Sequence, residues 1–292
     1  MSAQVGGPQA SGAKPAQERT AFVCPVCGGA LYRTAGSLSC ARGHSYDAAR
    51  GGYVNLLQSQ RSGARRHGDD ALMVAARTRF LDAGYYDILL QALAARAVQY
   101  APDGALTLLD AGCGEGRYTA RVCAALRAAQ HACTGVGVDL SRTALAAAHR
   151  RDPALQLAVG SVFHLPVAAH SCQLLLNVFA PCAPAEYARV LRRRGVLLRA
   201  VPLERHLWEL KQAVYERPYE NKVEPFALEG FTLLEAAPVR GKIFLPTAQT
   251  IQDLFCMTPY YYKTGVQDQQ KLQALQQLTV TLEFGVLVYR KK

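Results

Sequence analysis

Two stretches in the first third of the chain repeat apolar residues at the spacing of a helix. One lies within residues 72–80 and the other within residues 89–97. Apolar residues three to four positions apart fall on one face of a helix, so each stretch predicts an amphipathic helix.

From residue 105 onwards, short apolar runs alternate with helical patterns. Strands that alternate with helices form a parallel sheet covered by helices, so this half predicts a doubly wound α/β domain. Residues 278–290 alternate apolar and polar positions, which predicts an antiparallel arm that closes the sheet. The other predicted strands are 106–110, 134–139, 155–159, 172–178 and 195–201, and the predicted helices are 115–129 and 142–151.

The first 70 residues do not show this alternation of strands and helices. Residues 1–20 are rich in Gly, Pro, Ala, Gln and Ser and predict a flexible tail. Residues 21–60 are rich in turns and lack helical periodicity, and 61–70 form a basic, glycine-containing loop. We therefore expect a tail, a small module at 21–60, linker helices at 61–104 and the α/β domain at 105–292.

The composition of the chain indicates the cellular compartment in which the protein is expected. Half of the 292 residues are hydrophobic, enough for a sizeable core, yet no uncharged apolar run approaches the thickness of a bilayer. The first twenty residues lack the apolar region of a secretory signal. The nine cysteines are an odd number and are mostly scattered singly, which suits a reducing compartment. These features predict a cytoplasmic protein without a membrane partner.

The charge of the chain favours a polyanionic partner. The formal net charge is +11, with 25 arginines against 8 lysines. Arginine is the better side chain for bidentate phosphate contacts and for stacking on bases. A basic surplus of this kind is typical of nucleic-acid-binding proteins, although a GC-rich genome also produces one.

The sequence LLDAGCGEGRYT (108–119) places a glycine loop between a strand and a helix. Gly112 and Gly114 allow the backbone to approach a ligand, but the spacing is one residue shorter than in the dinucleotide fingerprint. Glu115 stands where a pyrophosphate would lie, and its carboxylate suits the cationic groups of S-adenosylmethionine instead. Asp139 ends the next strand, where it can bind the ribose hydroxyls. The alternatives are NAD and a glycine turn without a ligand.

Three further residues complete the predicted cofactor site. Asp110 precedes the loop and is expected to brace it rather than to touch the ligand. Ser161 stands where many methyltransferases carry an acid that accepts the adenine amino group. Adenine binding is therefore expected to depend on the backbone and on Phe163. An ordinary core position for Phe163 is an equal alternative.

A metal clip precedes all of these features. Cys24 and Cys27 are separated by two residues, and Cys40 and His44 by three. Three thiols and an imidazole at this spacing are typical of a structural zinc site, because four protein ligands leave no position for a catalytic water. The alternative is four independent core or redox residues.

Together these motifs resemble the guanine-N1-methyltransferases of large-subunit ribosomal RNA. The resemblance runs from about residue 22 to the C-terminus, and the order and spacing of the segments carry it. The matching segments are 43–57, 68–86, 109–119, 179–182, 204–211 and 257–260.

The resemblance implies a class I S-adenosylmethionine-dependent fold with a seven-stranded sheet and a zinc-binding N-terminal module. It also implies methyl transfer to N1 of a guanine in a hairpin loop of 23S rRNA, and a possible homodimer. Tyr86 and His206 match residues of the family's cofactor pocket; their alternatives are a helix-capping tyrosine and a helix-start histidine. Phe179 stands where relatives tend to have Tyr, and RRRG (192–195) replaces the usual Pro-Gly-Gly turn.

Guanine N1 lies on the Watson–Crick edge, so an enzyme must bind an unpaired or flipped base. We expect Phe179 to stack on that base and the Asn177 amide to contact base or cofactor. Glu204, His206 and Glu209 are candidates for accepting the N1 proton, and the sequence does not choose among them.

We expect RNA to be bound by the zinc module and by the arginines of 61–66 and 192–194. The α/β domain at 105–292 would then catalyse the methyl transfer. Loss of the clip would then spare cofactor affinity. Two rival functions are a methyltransferase for a small molecule and a catalytically silent RNA-binding protein.

Overall fold

The computed structural model describes residues 18–58 and 69–292. Most of the predicted tail and most of the predicted basic loop, including Arg61, Arg65 and Arg66, lie outside this part of the chain. The first strand already begins at Arg19, inside the segment that was predicted as tail.

The front module is a small antiparallel sheet. Its strands follow one another in the order β1-β2-β3-β4. Such short strands bury little apolar surface by themselves, so the module depends on other constraints for its stability. The strands are β1 (Arg19–Val23), β2 (Ala30–Thr34), β3 (Ser37–Ser39) and β4 (Ser45–Asp47).

A second, larger sheet forms the centre of the protein. Its eight strands are β5 (Tyr53–Asn55), β6 (Leu106–Ala111), β7 (Cys133–Asp139), β8 (Gln156–Val159), β9 (Cys172–Val178), β10 (Leu191–Pro202), β11 (Phe231–Leu245) and β12 (Leu278–Lys291). Their order is β11-β12-β10-β9-β6-β7-β8-β5. All neighbours from β10 to β5 are parallel, and β12 runs antiparallel between β10 and β11. This confirms the doubly wound sheet and the closing antiparallel arm, and it adds β5 to the seven expected strands.

The helices confirm the periodic patterns of the sequence. The side chain of Asp70 caps the first helix by accepting a 2.9 Å hydrogen bond from the Met73 amide. The helices are α1 (Ala71–Asp82), α2 (Asp87–Gln99), α3 (Arg117–Ala128), α4 (Arg142–Arg151), α5 (Pro184–Val190), α6 (Trp208–Val214), α7 (Ala248–Cys256), α8 (Tyr260–Lys263) and α9 (Val266–Gln273).

The two faces of the large sheet bury separate hydrophobic clusters. One cluster joins the sheet to apolar residues of α2, α3 and α4. The other joins it to α5 and to core residues of the front module, including Phe22 and Leu31, and also contains Val54 of β5. The front module therefore covers part of a sheet face and shares a continuous core with the α/β domain.

Backbone hydrogen bonds fix this docking. The Val23 amide donates to the Pro166 carbonyl at 2.9 Å, and the Leu56 amide donates to the Val159 carbonyl at 3.0 Å. β5 pairs with β8 from Tyr53 to Asn55. The chain segment that leaves the module is thus itself a strand of the large sheet.

The sequence patterns missed β11, a strand of 15 residues. Pro238 and Gly241 interrupt it, and many of its side chains are exposed, so no clear alternation of apolar residues marks it. Within the described residues, no helix has both the length and the apolar character needed to cross a membrane.

Candidate functional site

A cavity of about 1150 Å³ opens at the carboxyl ends of the central strands. The glycine loop after β6, the end of β7 and the loop after β9 all line it. The strands that follow β6 are added on one side of it up to β8, and the next strand, β9, is added on its other side. Ligands of doubly wound folds bind at such a topological switch point. The cavity is therefore the candidate active site.

The glycine loop approaches the opposite wall closely. Gly112 has φ +90°, and a Cβ at this position would lie only 2.5 Å from the Ala180 Cβ. Gly114 has φ +54°, and its amide donates to Asp139 Oδ2 at 2.9 Å. Both positions favour glycine, since other residues rarely adopt a positive φ.

Asp139 is held by the backbone on two sides. Besides the Gly114 amide, the Ser141 amide donates to its Oδ1 at 2.8 Å. Burial raises the pKa of this carboxyl. Asp139 lines the cavity at the end of β7.

Asp110 is almost fully buried beneath the loop. Its Oδ2 accepts a 2.6 Å hydrogen bond from the Thr119 hydroxyl, which supports the predicted bracing role. Its Oδ1 has no hydrogen-bond partner among the described residues, and the residue lines the cavity. Burial raises the pKa of Asp110 to about 7. A buried acceptor without a partner is costly unless a ligand or water satisfies it.

Glu115 is also buried, but its charge is compensated. Arg151, on α4, donates from Nε to Glu115 Oε2 at 2.9 Å and from Nη2 to the same oxygen at 2.5 Å. The sequence did not reveal this partner. Glu115 still lines the cavity, so any contact with a cationic ligand is shared with Arg151.

The metal clip is assembled in the front module. The ligand atoms of Cys24, Cys27, Cys40 and His44 all lie within 4.8 Å of one another. Cys27 Sγ is 3.7 Å from Cys40 Sγ, and His44 Nδ1 is 3.3 Å from Cys40 Sγ. Tetrahedral zinc with Zn–S bonds of about 2.3 Å separates its sulfur ligands by roughly 3.8 Å. The geometry therefore fits a closed structural zinc site with no position for a substrate.

Comparisons with known proteins agree with the zinc site in the front module and with the cofactor cavity in the α/β domain. Residues 22–65 match the zinc-ribbon family described as RlmA, N-terminal, and residues 108–199 match a methyltransferase domain family. A Bacillus subtilis protein, YxjB, named for 23S rRNA (guanine-N1)-methyltransferase activity, is 32% identical over 92% of this chain and 97% of its own length. This chain belongs to the 23S rRNA (guanine-N1)-methyltransferase family.

Two further relatives match shorter regions. A protein of Micromonospora griseorubida with the same activity in its name is 40% identical over 64% of this chain and 67% of its own length. The 23S rRNA (guanine(748)-N(1))-methyltransferase of Streptomyces fradiae is 39% identical over 65% of this chain and 66% of its own length.

The cofactor of this methyltransferase is S-adenosylmethionine, and the cavity contains groups that fit it. The unpaired Asp110 Oδ1 and the carboxylates of Glu115 and Asp139 offer acceptors for its ammonium group and hydroxyls. At Gly112 a Cβ would collide with the Ala180 Cβ, so this part of the cavity wall requires glycine.

Tyr86 and His206 meet in the wall of this cavity. Tyr86 occupies the N-cap position of α2 without a side-chain cap bond, so the capping alternative does not explain its hydroxyl. That hydroxyl is 3.3 Å from His206 Nε2, and the Glu283 amide donates to His206 Nδ1. The imidazole is therefore neutral with its proton on Nε2, which donates to the tyrosine. Burial lowers the pKa of His206 to about 3.

Phe179 stands at the mouth of the cavity. Its side chain is 45% exposed, and its φ of +53° is unusual for a non-glycine residue. Its ring lies 5.7 Å from that of Phe284, and its amide donates to the Ala200 carbonyl. Strained backbone of this kind clusters at functional sites.

Asn177, by contrast, is buried behind the wall. Its amide nitrogen contacts the Ala180 and Pro181 carbonyls and the Tyr187 hydroxyl, and its Oδ1 accepts from Arg199 Nε at 3.2 Å. It does not line the cavity. The geometry favours a positioning role for Asn177, because these partners already use both ends of its amide.

Phe163 and Ser161, the two side chains considered for adenine binding, both line the cavity. Phe163 is 52% exposed, which excludes the core alternative. Ser161 Oγ accepts a 3.2 Å hydrogen bond from the Phe163 amide. Both residues also line a second groove, about 730 Å³, which reaches Cys24 and Pro25 of the zinc ribbon.

Two of the predicted proton acceptors lie outside the cavity wall. Glu209 accepts hydrogen bonds from the Thr281 amide and hydroxyl, both at 2.7 Å, which hold it against β12. Glu204 is exposed beyond the end of β10. The geometry therefore gives neither glutamate access to a bound base.

The arginines 192–194 stand at the beginning of β10, whereas the cavity opens at the end of that strand. At about 3.3 Å per residue, these arginines lie roughly 16–23 Å along the strand from Arg199, the first residue of β10 that lines the cavity. These arginines do not face the active site. Sequence reasoning missed Arg199, which does line it; an arginine inside the apolar run GVLLRAV was the available signal.

Proposed function

We propose that this protein transfers a methyl group from S-adenosylmethionine to N1 of a guanine in a loop of 23S rRNA. The observation that supports this most is the exposed ring of Phe179 at the mouth of a cavity that also contains the glycine loop. A buried cofactor site with an aromatic ring at its entrance suits a base that is flipped out of its stack.

The residues around Phe179 indicate how a guanine is bound. Pro181 and Ala180 form the wall beside it, and Asn177 holds that loop through their carbonyls. Phe179 stacks on the base, in the position that its strained backbone imposes. Asn177 thereby positions the wall without touching the substrate.

Arg199 is the group best placed to help the loss of the N1 proton. It lies on β10 beside the Phe179 loop, lines the cavity, and is oriented by its bond to Asn177. A guanidinium near O6 stabilises the negative charge that develops on guanine as N1 releases its proton to water, and S-adenosylhomocysteine leaves as N1 takes the methyl group. Bound S-adenosylmethionine supplies an electrophilic methyl group, and the protein contributes mainly the alignment of the two reactants.

The zinc ribbon contributes to RNA binding from the side of the Phe163 loop. Its Cys24 and Pro25 line the groove that continues from Phe163, and this groove adjoins the cavity. A cytoplasmic location and a homodimer that presents two zinc modules to one RNA stay predictions. Analytical ultracentrifugation with and without RNA tests the second.

Nucleoside mass spectrometry tests the proposed reaction. Deproteinised large-subunit rRNA that lacks its own modification is incubated with the protein and S-adenosylmethionine, and we expect 1-methylguanosine to appear. The site is then mapped by the stop that it causes in reverse transcription. Cofactor binding without any methylated rRNA would favour a small-molecule substrate or a catalytically silent protein.

A further inference from the structure

Exposed aromatic rings are concentrated at the mouth of the active-site cavity. Five aromatic side chains in the described part of the chain are strongly exposed: Phe163, Phe179, Tyr219, Phe244 and Tyr262. All of them except Phe244 line the cavity. Scattered apolar residues on a surface need no explanation, but a cluster around one opening marks a binding site.

Tyr219 is fixed from one side. Its carbonyl accepts a 2.9 Å hydrogen bond from Lys211 Nζ, and the same ammonium lies 4.6 Å from the centre of the Tyr219 ring. Lys211 is almost fully buried and also donates to Asn221 Oδ1 at 2.7 Å. Tyr219 is nevertheless 53% exposed, so one part of the ring is anchored and another is open.

Tyr262 shows the same arrangement on another wall. Its hydroxyl donates to Asp70 Oδ2 at 2.7 Å, and its ring packs edge-on against Tyr261 at 5.2 Å. It is 60% exposed. A ring that is already ordered loses little conformational entropy when a flat ligand stacks on it.

Basic side chains line the cavity at Arg77, Arg199 and Lys222, and the exposed Asp70, which accepts from Tyr262, lines it as well. Lys222 and Tyr219 both line the cavity, and Lys222 pairs with Glu224 at 3.3 Å in an ion pair that is largely open to solvent. Such a surface pair is weak, so the ammonium is available to a phosphate. Aromatic rings interleaved with basic side chains are characteristic of sites for single-stranded nucleic acids.

We propose that Tyr219 and Tyr262 each stack on an unpaired nucleotide next to the target guanine. The site then takes a run of unpaired RNA, not a single flipped base, with Lys222 contacting its phosphates. This inference rests on the proposed function and extends it, because Phe179 accounts for the target base alone. It explains why the cavity entrance carries more exposed rings than one guanine requires.

Fluorescent oligoribonucleotides test the proposal. Short single strands carry one guanine flanked on both sides by 2-aminopurine, whose fluorescence is quenched when it stacks. Tyr219→Leu and Tyr262→Leu remove one ring each, whereas Tyr219→Phe and Tyr262→Phe keep the ring. Phe244→Leu is the matched control, because Phe244 is as exposed as Tyr219 but lies outside the cavity.

We expect each leucine variant to raise the Kd for the oligonucleotide about 10-fold or more, the usual effect of losing one stacked base. Quenching of one flanking 2-aminopurine should be lost with it. Tyr219→Phe and Phe244→Leu should bind like the wild type, and Tyr262→Phe, which loses only the bond to Asp70, should bind more tightly than Tyr262→Leu. Affinity for S-adenosylmethionine is measured in parallel, since collapse of the whole cavity would lower it as well.

Unchanged Kd and quenching in both leucine variants, with 1-methylguanosine still formed in rRNA by the wild type, would overturn this inference and leave the proposed function intact. Absence of 1-methylguanosine with the wild-type protein would instead contradict the proposed function, and this inference with it. Equal losses in the leucine and phenylalanine variants would assign the effect to the hydroxyl groups and also overturn the stacking proposal.

Discussion

The contact between the glycine loop and the loop after β9 offers the sharpest test of the site geometry. Gly112→Ala would place a Cβ 2.5 Å from the Ala180 Cβ, at a backbone φ of +90°. An L-residue in this conformation costs roughly 1–2 kcal/mol, and overpacking adds about 1–3 kcal/mol. We expect a loss of roughly 2–5 kcal/mol in the free energy of unfolding.

Two further variants separate these contributions. Gly104 has φ +88°, but a Cβ there would meet nothing within 4 Å, so Gly104→Ala carries the backbone cost alone. Ala180→Gly removes the atom with which Gly112→Ala collides. The double variant Gly112→Ala/Ala180→Gly should therefore recover the packing part of the loss, giving a coupling energy of about 1–3 kcal/mol.

Urea unfolding measures the free energies, and calorimetric titration measures binding of S-adenosylmethionine. Because the collision displaces the wall of the cofactor cavity, Gly112→Ala should raise the Kd about 10-fold or more, while Gly104→Ala should leave it unchanged. A coupling energy near zero, together with equal Kd values in the two alanine variants, would refute the close approach of the two loops.

The remaining predictions concern charge, metal and catalysis. Arg151→Met leaves the buried Glu115 carboxylate unpaired and should cost about 3 kcal/mol in urea unfolding. Burial lowers the pKa of His206 from its usual 6.5 to about 3, so between these two pH values only the unfolded state binds the proton. The free energy of unfolding should therefore fall as the pH drops from 6.5 towards 3, and it should fall less steeply in His206→Gln. Cys40→Ser should lose zinc, measured by metal analysis, and, against the expectation from sequence, also weaken cofactor binding, because the zinc ribbon shares a core with the sheet. Arg199→Met should lower kcat roughly 100-fold while cofactor affinity stays unchanged.

The sequence determined most of the local structure. The alternation of strands and helices from residue 105, the glycine loop and the four zinc ligands depend on spacing along the chain, and the structure contains each of them. Local patterns suffice here because hydrophobic periodicity and turn chemistry act over a few residues. The sequence patterns did not predict β11, because its side chains are largely exposed and Pro238 and Gly241 break its run of strand-forming residues.

The tertiary structure decided which side chains reach the site. Asn177 proved to be enclosed by Tyr187 and the carbonyls of its own loop, whereas Arg199, which the sequence patterns did not single out, lines the cavity. Arg151 neutralises Glu115 from 36 positions further along the chain. Such partners depend on long-range packing, which no local pattern encodes.

The zinc ribbon likewise has local features that the sequence predicts and a position in the fold that only the tertiary structure shows. The ligand spacing alone predicted a metal clip, but it said nothing about the surface on which the clip rests. Only the fold shows that β5 extends the central sheet and that Phe22 and Val54 share the core of the α/β domain. A short chain segment specifies its own ligands and turns, whereas its docking face is specified by the shape and apolar surface of residues distant in sequence.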